Sequence, residues 1–190
     1  MGMDAEDWAG LLHLWGQVSA PKNCKVEIIE GVVTVAPPVL LSHHGAANAV
    51  QRPLHRVIPE DWGVYQTQAV VIPAVAGLFV PDILVTPEAI LRRAGDAYTI
   101  PAAGAELVVE ITSCGNARHD RRQKPRGYAT AGVPLYLLID AYAPGGPTVT
   151  LYGEPKDSVY RTLRAAPFGA KIHLPAPFDL TLDTAEFPSA

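Results

Sequence analysis

Asp82, Glu110 and Lys124 are the residues of this chain whose types and settings could do chemistry. Glu110 interrupts the apolar run Leu107-Val108-Val109-Glu110-Ile111-Thr112, which otherwise spells a buried strand. A carboxylate there must be paired, protonated or bound to a cation, because burying it alone is costly. Asp82 repeats the situation in Phe79-Val80-Pro81-Asp82-Ile83-Leu84-Val85. Side chains alternate along a strand, so Val80, Asp82 and Leu84 share one face, and Val108, Glu110 and Thr112 share another. If the two strands are neighbours, both acids point into one space and repel unless a cation or proton lies between them. Magnesium suits such a site, since it takes one or two carboxylates and keeps several waters. The carbonyl of Ile111 could add an oxygen. A lysine beside the ion could orient or help deprotonate an attacking water and stabilise charge on a phosphate.

Each residue also has a plainer reading. Asp82 follows a proline and could serve a turn or cap. Glu110 could be a buried acid paired with an arginine. Lys124 could be a solvated helix residue. Arg118, His119, Arg121, Arg122, Lys124 and Arg126 form either a phosphate-contacting rim or an ordinary polar helix face. His43 and His44, at a helix start after Ser42, could be near the site, but a partly exposed structural role is the better reading. Cys114 could be a thiol nucleophile activated by His119, but a small buried cysteine after a strand is the better reading.

The elements that must position these groups follow from pattern and punctuation. Asp4 caps a helix whose Trp8, Leu11, Leu12 and Trp15 fall at i, i+3, i+4 and i+7. A hairpin runs from Lys25 to Ile29, turns at Glu30-Gly31 and returns over Val32 to Val35. A second helix starts at the N-cap Ser42 and extends toward Val57, with Pro53 kinking or splitting it. Strands are expected over Val64 to Ile72 and Leu78 to Thr86, then an irregular excursion from Ala94 to Gly104. Glu106 to Thr112 and Leu135 to Asp140 read as strands joined by a short helix from Asp120 to Ala131, closed by Gly132. Thr148 to Tyr152, Val159 to Leu163 and Lys171 to Leu174 look like outer strands. The sum is an α/β protein with a mixed sheet, a strand–helix–strand crossover and an antiparallel edge.

Composition sets outer bounds. At 190 residues and 48% hydrophobic content the chain can bury a real core, and one domain over 1–190 is expected. A formal charge of −4 argues against a general basic coat for nucleic acid but leaves room for a local basic patch. Cys24 and Cys114 make neither a disulfide framework nor a CxxC zinc pair, which fits reduced thiols in the cytoplasm. Met1 to Asp7 lacks the character of a signal peptide, and no apolar stretch approaches the roughly 20 residues of a membrane-spanning helix.

Several longer stretches together resemble the Uma-two family, a branch of the restriction-endonuclease-like PD-(D/E)XK superfamily. They are Glu27-Ile28-Ile29-Glu30-Gly31, Pro81-Asp82, Val109-Glu110-Ile111-Thr112-Ser113, Asp120-Arg121-Arg122-Gln123-Lys124, and Tyr128 through Tyr136, with Leu137 to Asp140 behind. The resemblance implies a restriction-endonuclease-like mixed sheet flanked by helices. It also implies magnesium- or manganese-dependent cleavage of a phosphodiester in nucleic acid, DNA by preference. Asp82 and Glu110 would be the ion ligands, and Lys124 would assist the water. Glu27 matches a family glutamate that adds a ligand or holds a metal water. Thr112 stands where the superfamily usually has its lysine, so the lysine has moved to the following helix as Lys124. Leu137 replaces a tryptophan common in the family. A homodimer is expected, because cutting a duplex needs a site for each strand. The alternative is a catalytically silent nuclease-fold module for nucleic-acid binding or assembly.

Overall fold

The computed structural model describes residues 4–188, so Met1 to Met3 of the N-terminal stretch lie outside it. Helix α1 spans Ala5–Gln17, followed by β1 (Lys25–Ile29), β2 (Val32–Ala36), α2 (Leu41–Val57), β3 (Trp62–Tyr65), β4 (Ala69–Ile72), β5 (Gly77–Phe79) and β6 (Ile83–Pro87). Then come α3 (Glu88–Ala94), β7 (Thr99–Pro101), β8 (Leu107–Ile111), α4 (Lys124–Thr130), β9 (Leu135–Asp140), β10 (Thr148–Lys156), β11 (Val159–Pro167), β12 (Lys171–Leu174) and β13 (Leu180–Asp183). The strands build a five-stranded sheet ordered β2-β1-β5-β4-β7, a six-stranded sheet ordered β11-β10-β9-β8-β6-β3, and the small pair β12-β13. This is a mixed α/β architecture. The crossover through α4 brings β8 and β9 together in parallel, while β10 and β11 form an antiparallel edge.

Two expected strands prove to be two pairs, each divided between the sheets. Val64 to Ile72 breaks around Thr67, whose φ of 55° lies in the left-handed region, so β3 joins one sheet and β4 the other. Leu78 to Thr86 breaks at Val80-Pro81-Asp82, because Pro81 has no N–H to give a ladder. Asp82 therefore sits where the chain passes from the five-stranded sheet to the six-stranded one. The excursion from Ala94 to Gly104 contains β7, which pairs in parallel with β4.

The N-terminal helix forms as read, with the Asp4 carboxylate accepting the Asp7 N–H at 2.8 Å. In α2, Leu40 rather than Ser42 occupies the cap position, and the helix continues through Pro53 to Val57. Ahead of α4, residues His119–Gln123 make a π-helical turn in which the Lys124 N–H reaches back five residues to the His119 carbonyl. That wider turn comes just before Pro125, which has no N–H for a regular α-turn. Gly132, at φ 76°, closes the helix.

Apolar side chains fill three spaces. Ile83, Val85, Val109 and Ile111 face α2 and the C-terminal strands. Leu84 and Val108, on the opposite face, meet Ile29, Phe79, Tyr128 and Tyr136 between the two sheets. Trp8, Leu11, Leu12 and Trp15 cover the outer side of the five-stranded sheet at Ile28 and Leu78. Because β1 alternates, Ile28 faces α1 while Lys25, Glu27 and Ile29 turn toward the inter-sheet space.

Candidate active site

The β6–β8 ladder ends with Ile83 opposite Val109, so Asp82 and Glu110 are the next residues beyond it on the two chains. Both acids enter the space between the sheets. Both are buried, Glu110 completely. The two strands are neighbours, the condition on which the expected meeting of these carboxylates rested.

Asp82 is held from three sides. Its Oδ2 accepts the Ile111 N–H at 2.7 Å and lies 3.1 Å from His43 Nε2, while Lys25 pairs with Oδ1. Burial opposes ionisation of Asp82, but Lys25 and His43 overcome it and hold the carboxyl well below the usual range. His43 is half-buried, and its ring contacts the Asp82 carboxylate.

Glu110 sits deeper. Its Oε1 accepts the Tyr128 hydroxyl at 2.8 Å and lies 3.1 Å from Lys124 Nζ. Its Oε2 is buried and has no hydrogen-bond partner among the described residues. Burial pushes the Glu110 carboxyl well above its ordinary range, with Asp120 and Asp82 adding to a rise that Lys124 only partly opposes.

Lys124 does reach the strand ends, from inside the protein. Its amine stands at ion-pair distance from Glu27 Oε1 (2.9 Å), Glu110 Oε1 (3.1 Å) and Asp120 Oδ1 (3.2 Å), and the side chain is 0% exposed. Burial alone would lower its pKa, but Glu110, Glu27 and Asp120 outweigh that and keep the ammonium charged. The solvated-helix reading of Lys124 does not apply.

Glu27 also accepts the Val80 N–H at 2.7 Å, and Lys25 donates to the Val80 carbonyl at 3.0 Å. The chain crossing at Val80–Asp82 is therefore fixed by two residues of one strand face. Sequence reading missed Lys25 and Asp120 as members of this cluster. The signals were present: Lys25 stands two residues before Glu27 on an alternating strand, and Asp120 four before Lys124 on a helix.

Thr112 has a different occupation. Its hydroxyl donates to Asp140 Oδ1 at 2.9 Å, and Arg121 grips the same carboxylate through Nε (2.6 Å) and Nη2 (2.9 Å). One arginine of the basic stretch thus serves structure, while Arg126 approaches Glu30 at 3.9 Å on the exposed surface. Cys114 is exposed, not buried as expected. It lies with His43, Ile111, Thr112, Ser113 and Tyr142 on a pocket of about 250 Å³ beside Asp82.

Among the described residues, no three or more His, Cys, Asp or Glu side chains are gathered as a metal-ligand cluster. No helix among them is long and apolar enough to cross a membrane.

Mixed sheets flanked by helices, joined by the α4 crossover, make a restriction-endonuclease-like fold. Residues 12–185 match Uma2, whose description reads "Putative restriction endonuclease", and the chain belongs to that family. Among solved structures, it is similar to one described as a putative nuclease belonging to DUF820 from Anabaena variabilis. The two share 18% identity over 93% of this chain and 96% of that one, with a TM-score of 0.72. No curated protein matches.

Proposed function

We propose that the chain is a metal-dependent phosphodiester hydrolase, an endonuclease acting on DNA. Asp82 and Glu110 are the ligands of a magnesium or manganese ion, with the Ile111 carbonyl as a further oxygen. The observation that carries this reading is Glu110 Oε2, buried with no partner of its own among the described residues, on the strand beside the one that Asp82 precedes. A buried carboxylate oxygen left unpaired is costly, and a hard cation would satisfy it.

The donors fit such an ion. They are all oxygens, and two carboxylates with a carbonyl leave room for the waters magnesium prefers. The charge fits as well. Glu27, Asp82, Glu110 and Asp120 are all buried beside the amines of Lys25 and Lys124, and a divalent ion would favour the ionised forms of Glu110 and Asp120 that burial opposes. A divalent ion there supplies Lewis acidity toward a phosphoryl oxygen and a more acidic bound water.

The chain's own residues do the rest. Lys124 stands behind Glu110 and favours its ionised form, so it serves the attacking water through that carboxylate. Glu27 fixes Lys124 and the Val80 backbone, and is placed to hold a water at the ion. His43 and the Ile111 N–H orient Asp82. We read the chain as one domain acting in the cytoplasm, where its two free cysteines stay reduced, and as a homodimer with one site per strand of duplex.

The test is a magnesium and manganese titration paired with plasmid cleavage. Asp82→Asn and Glu110→Gln should each abolish ion binding and cutting, and full cleavage by either variant ends the proposal. One observation favours a second reading, a silent nucleic-acid-binding module: Lys25 already occupies Asp82, and Thr112 carries no charge. Salt-dependent DNA binding without cutting in either metal would select it.

A further inference from the structure

We propose that Lys25, rather than Lys124, is the lysine that meets the phosphate of the substrate; the proposal rests on the nuclease reading above. The site holds two ammonium groups in opposite situations. Lys124 is 0% exposed and enclosed by Glu27, Glu110 and Asp120, so a phosphate could approach it only by displacing those carboxylates. The Lys25 side chain is 15% exposed.

An ammonium has three N–H donors. Lys25 uses two of them, on the Val80 carbonyl and on Asp82 Oδ1, which leaves one to offer. Lys25 also lines a cavity of about 780 Å³ together with Trp15, His44, Gln68 and Tyr98. That space lies within the roughly 300–1,000 Å³ of ordinary ligand sites. Its aromatic walls suit sugar and base faces: Trp15 is fixed by its Nε1–H on the Val26 carbonyl at 2.8 Å, and Tyr98 is exposed.

A phosphodiester brought against Asp82 and Glu110 must arrive from the solvent side. Of the two lysine side chains, only that of Lys25 has any exposed surface. It sits at the start of β1, two residues from Glu27 and on the same strand face, so its position is set by the strand that anchors the site. Each phosphate contact made by a cationic side chain contributes about −0.9 to the slope of log affinity against log salt. A lysine that only neutralises Asp82 contributes nothing to that slope.

The experiment measures affinity for a fluorescent DNA duplex across a salt series in calcium, with gels checking that the duplex stays intact. Lys25→Gln should flatten the slope by about one contact and weaken binding roughly ten-fold at low salt. Lys25→Arg should retain the wild-type slope, and so should Lys124→Arg if it folds. In the wild-type protein, amine-reactive footprinting should show Lys25 labelled when free and protected by duplex, with Lys124 unlabelled in both; this arm needs no folded variant. A folded Lys25→Gln with the wild-type slope, or equal labelling of Lys25 with and without duplex, overturns the proposal while leaving the nuclease reading intact. A wild-type protein that binds no duplex at any salt removes both.

Discussion

The amine of Lys124 lies 2.9 Å from Glu27 Oε1, joining a helix after β8 to the first hairpin of the chain across a space closed to water. Both partners are buried, so neither can exchange the other for solvent. Removing the positive member leaves Glu27, Glu110 and Asp120 without their shared counter-charge. Lys124→Met is therefore expected to cost about 3–5 kcal/mol of unfolding free energy, read from urea melts. Adding Glu110→Gln should recover part of that loss, because one of the stranded carboxylates is then neutral. Additive losses in the double variant would show that the pair is not coupled.

Asp120 provides a pH signature. Burial pushes its carboxyl up to about 6, against the pull of Lys124 and with the help of Asp82 and Glu27. A raised folded-state pKa means that the native state holds its proton more tightly than the unfolded chain. The stability linked to that proton is fully present below the unfolded value near 4 and is lost as pH rises through about 6. Without divalent ions the protein should gain stability on going from pH 7 to pH 4, on the order of 3 kcal/mol from this group. Glu110 shifts in the same direction and adds to the gain. Thermal melts across that range should show a shallower dependence for Asp120→Asn. An unchanged profile would place the effect elsewhere.

Much of this site could be read before any coordinates, because burial leaves a mark on sequence. An acid inside Leu107 to Ile111 has few innocent explanations, and the hairpin, the crossover helix and the β8–β9 pairing all follow from local pattern. What escaped has a common cause. The divisions at Thr67 and Val80–Asp82 depend on which sheet each half-strand joins, and no local propensity encodes that choice. The spacing of Lys25 from Glu27 puts both on one strand face, but it gains its meaning only once β5 and β6 are known to pass in front of them. Cys114 looked buried because it follows a strand, yet it stands in a turn at a pocket rim.

Thr112 is bound into a structural clamp, which decides what its replacement does. Its hydroxyl and Arg121 share Asp140. Burial alone would raise the Asp140 pKa, but the Arg121 and Thr112 hydrogen bonds bring it below the usual value. The stability linked to that clamp is present above the unfolded value near 4 and is lost as pH falls through the lower value of the folded state. At neutral pH, Thr112→Val should cost about 1 kcal/mol and leave ion affinity unchanged. Arg121 is 30% exposed, so solvent moderates its share of the clamp. Thr112→Lys should not raise cleavage, since the new ammonium meets a carboxylate that Arg121 already holds. A gain in turnover from that variant would show that the usual lysine position is still open to chemistry.

Gly127 transmits packing to the acid cluster. A Cβ at this position would stand 2.5 Å from Phe79 Cε2 and 2.9 Å from Cζ, closer than real atoms approach. Phe79 packs edge-on against Tyr128 with ring centres 5.3 Å apart, and Tyr128 holds Glu110 through its hydroxyl. The small residue thus lets α4 lie close enough for one tyrosine to serve both the core and the site. Gly127→Ala must move either the helix or the Phe79 ring, at an expected cost of about 1–3 kcal/mol. Displacing Tyr128 also loosens Glu110, so ion affinity should fall along with stability. Phe79→Leu frees space on the ring side, and the double variant should regain part of both losses. Paired thermal melts and manganese titrations read the two effects separately. If Gly127→Ala melts and binds like the wild type, the close approach of α4 is not what positions Glu110.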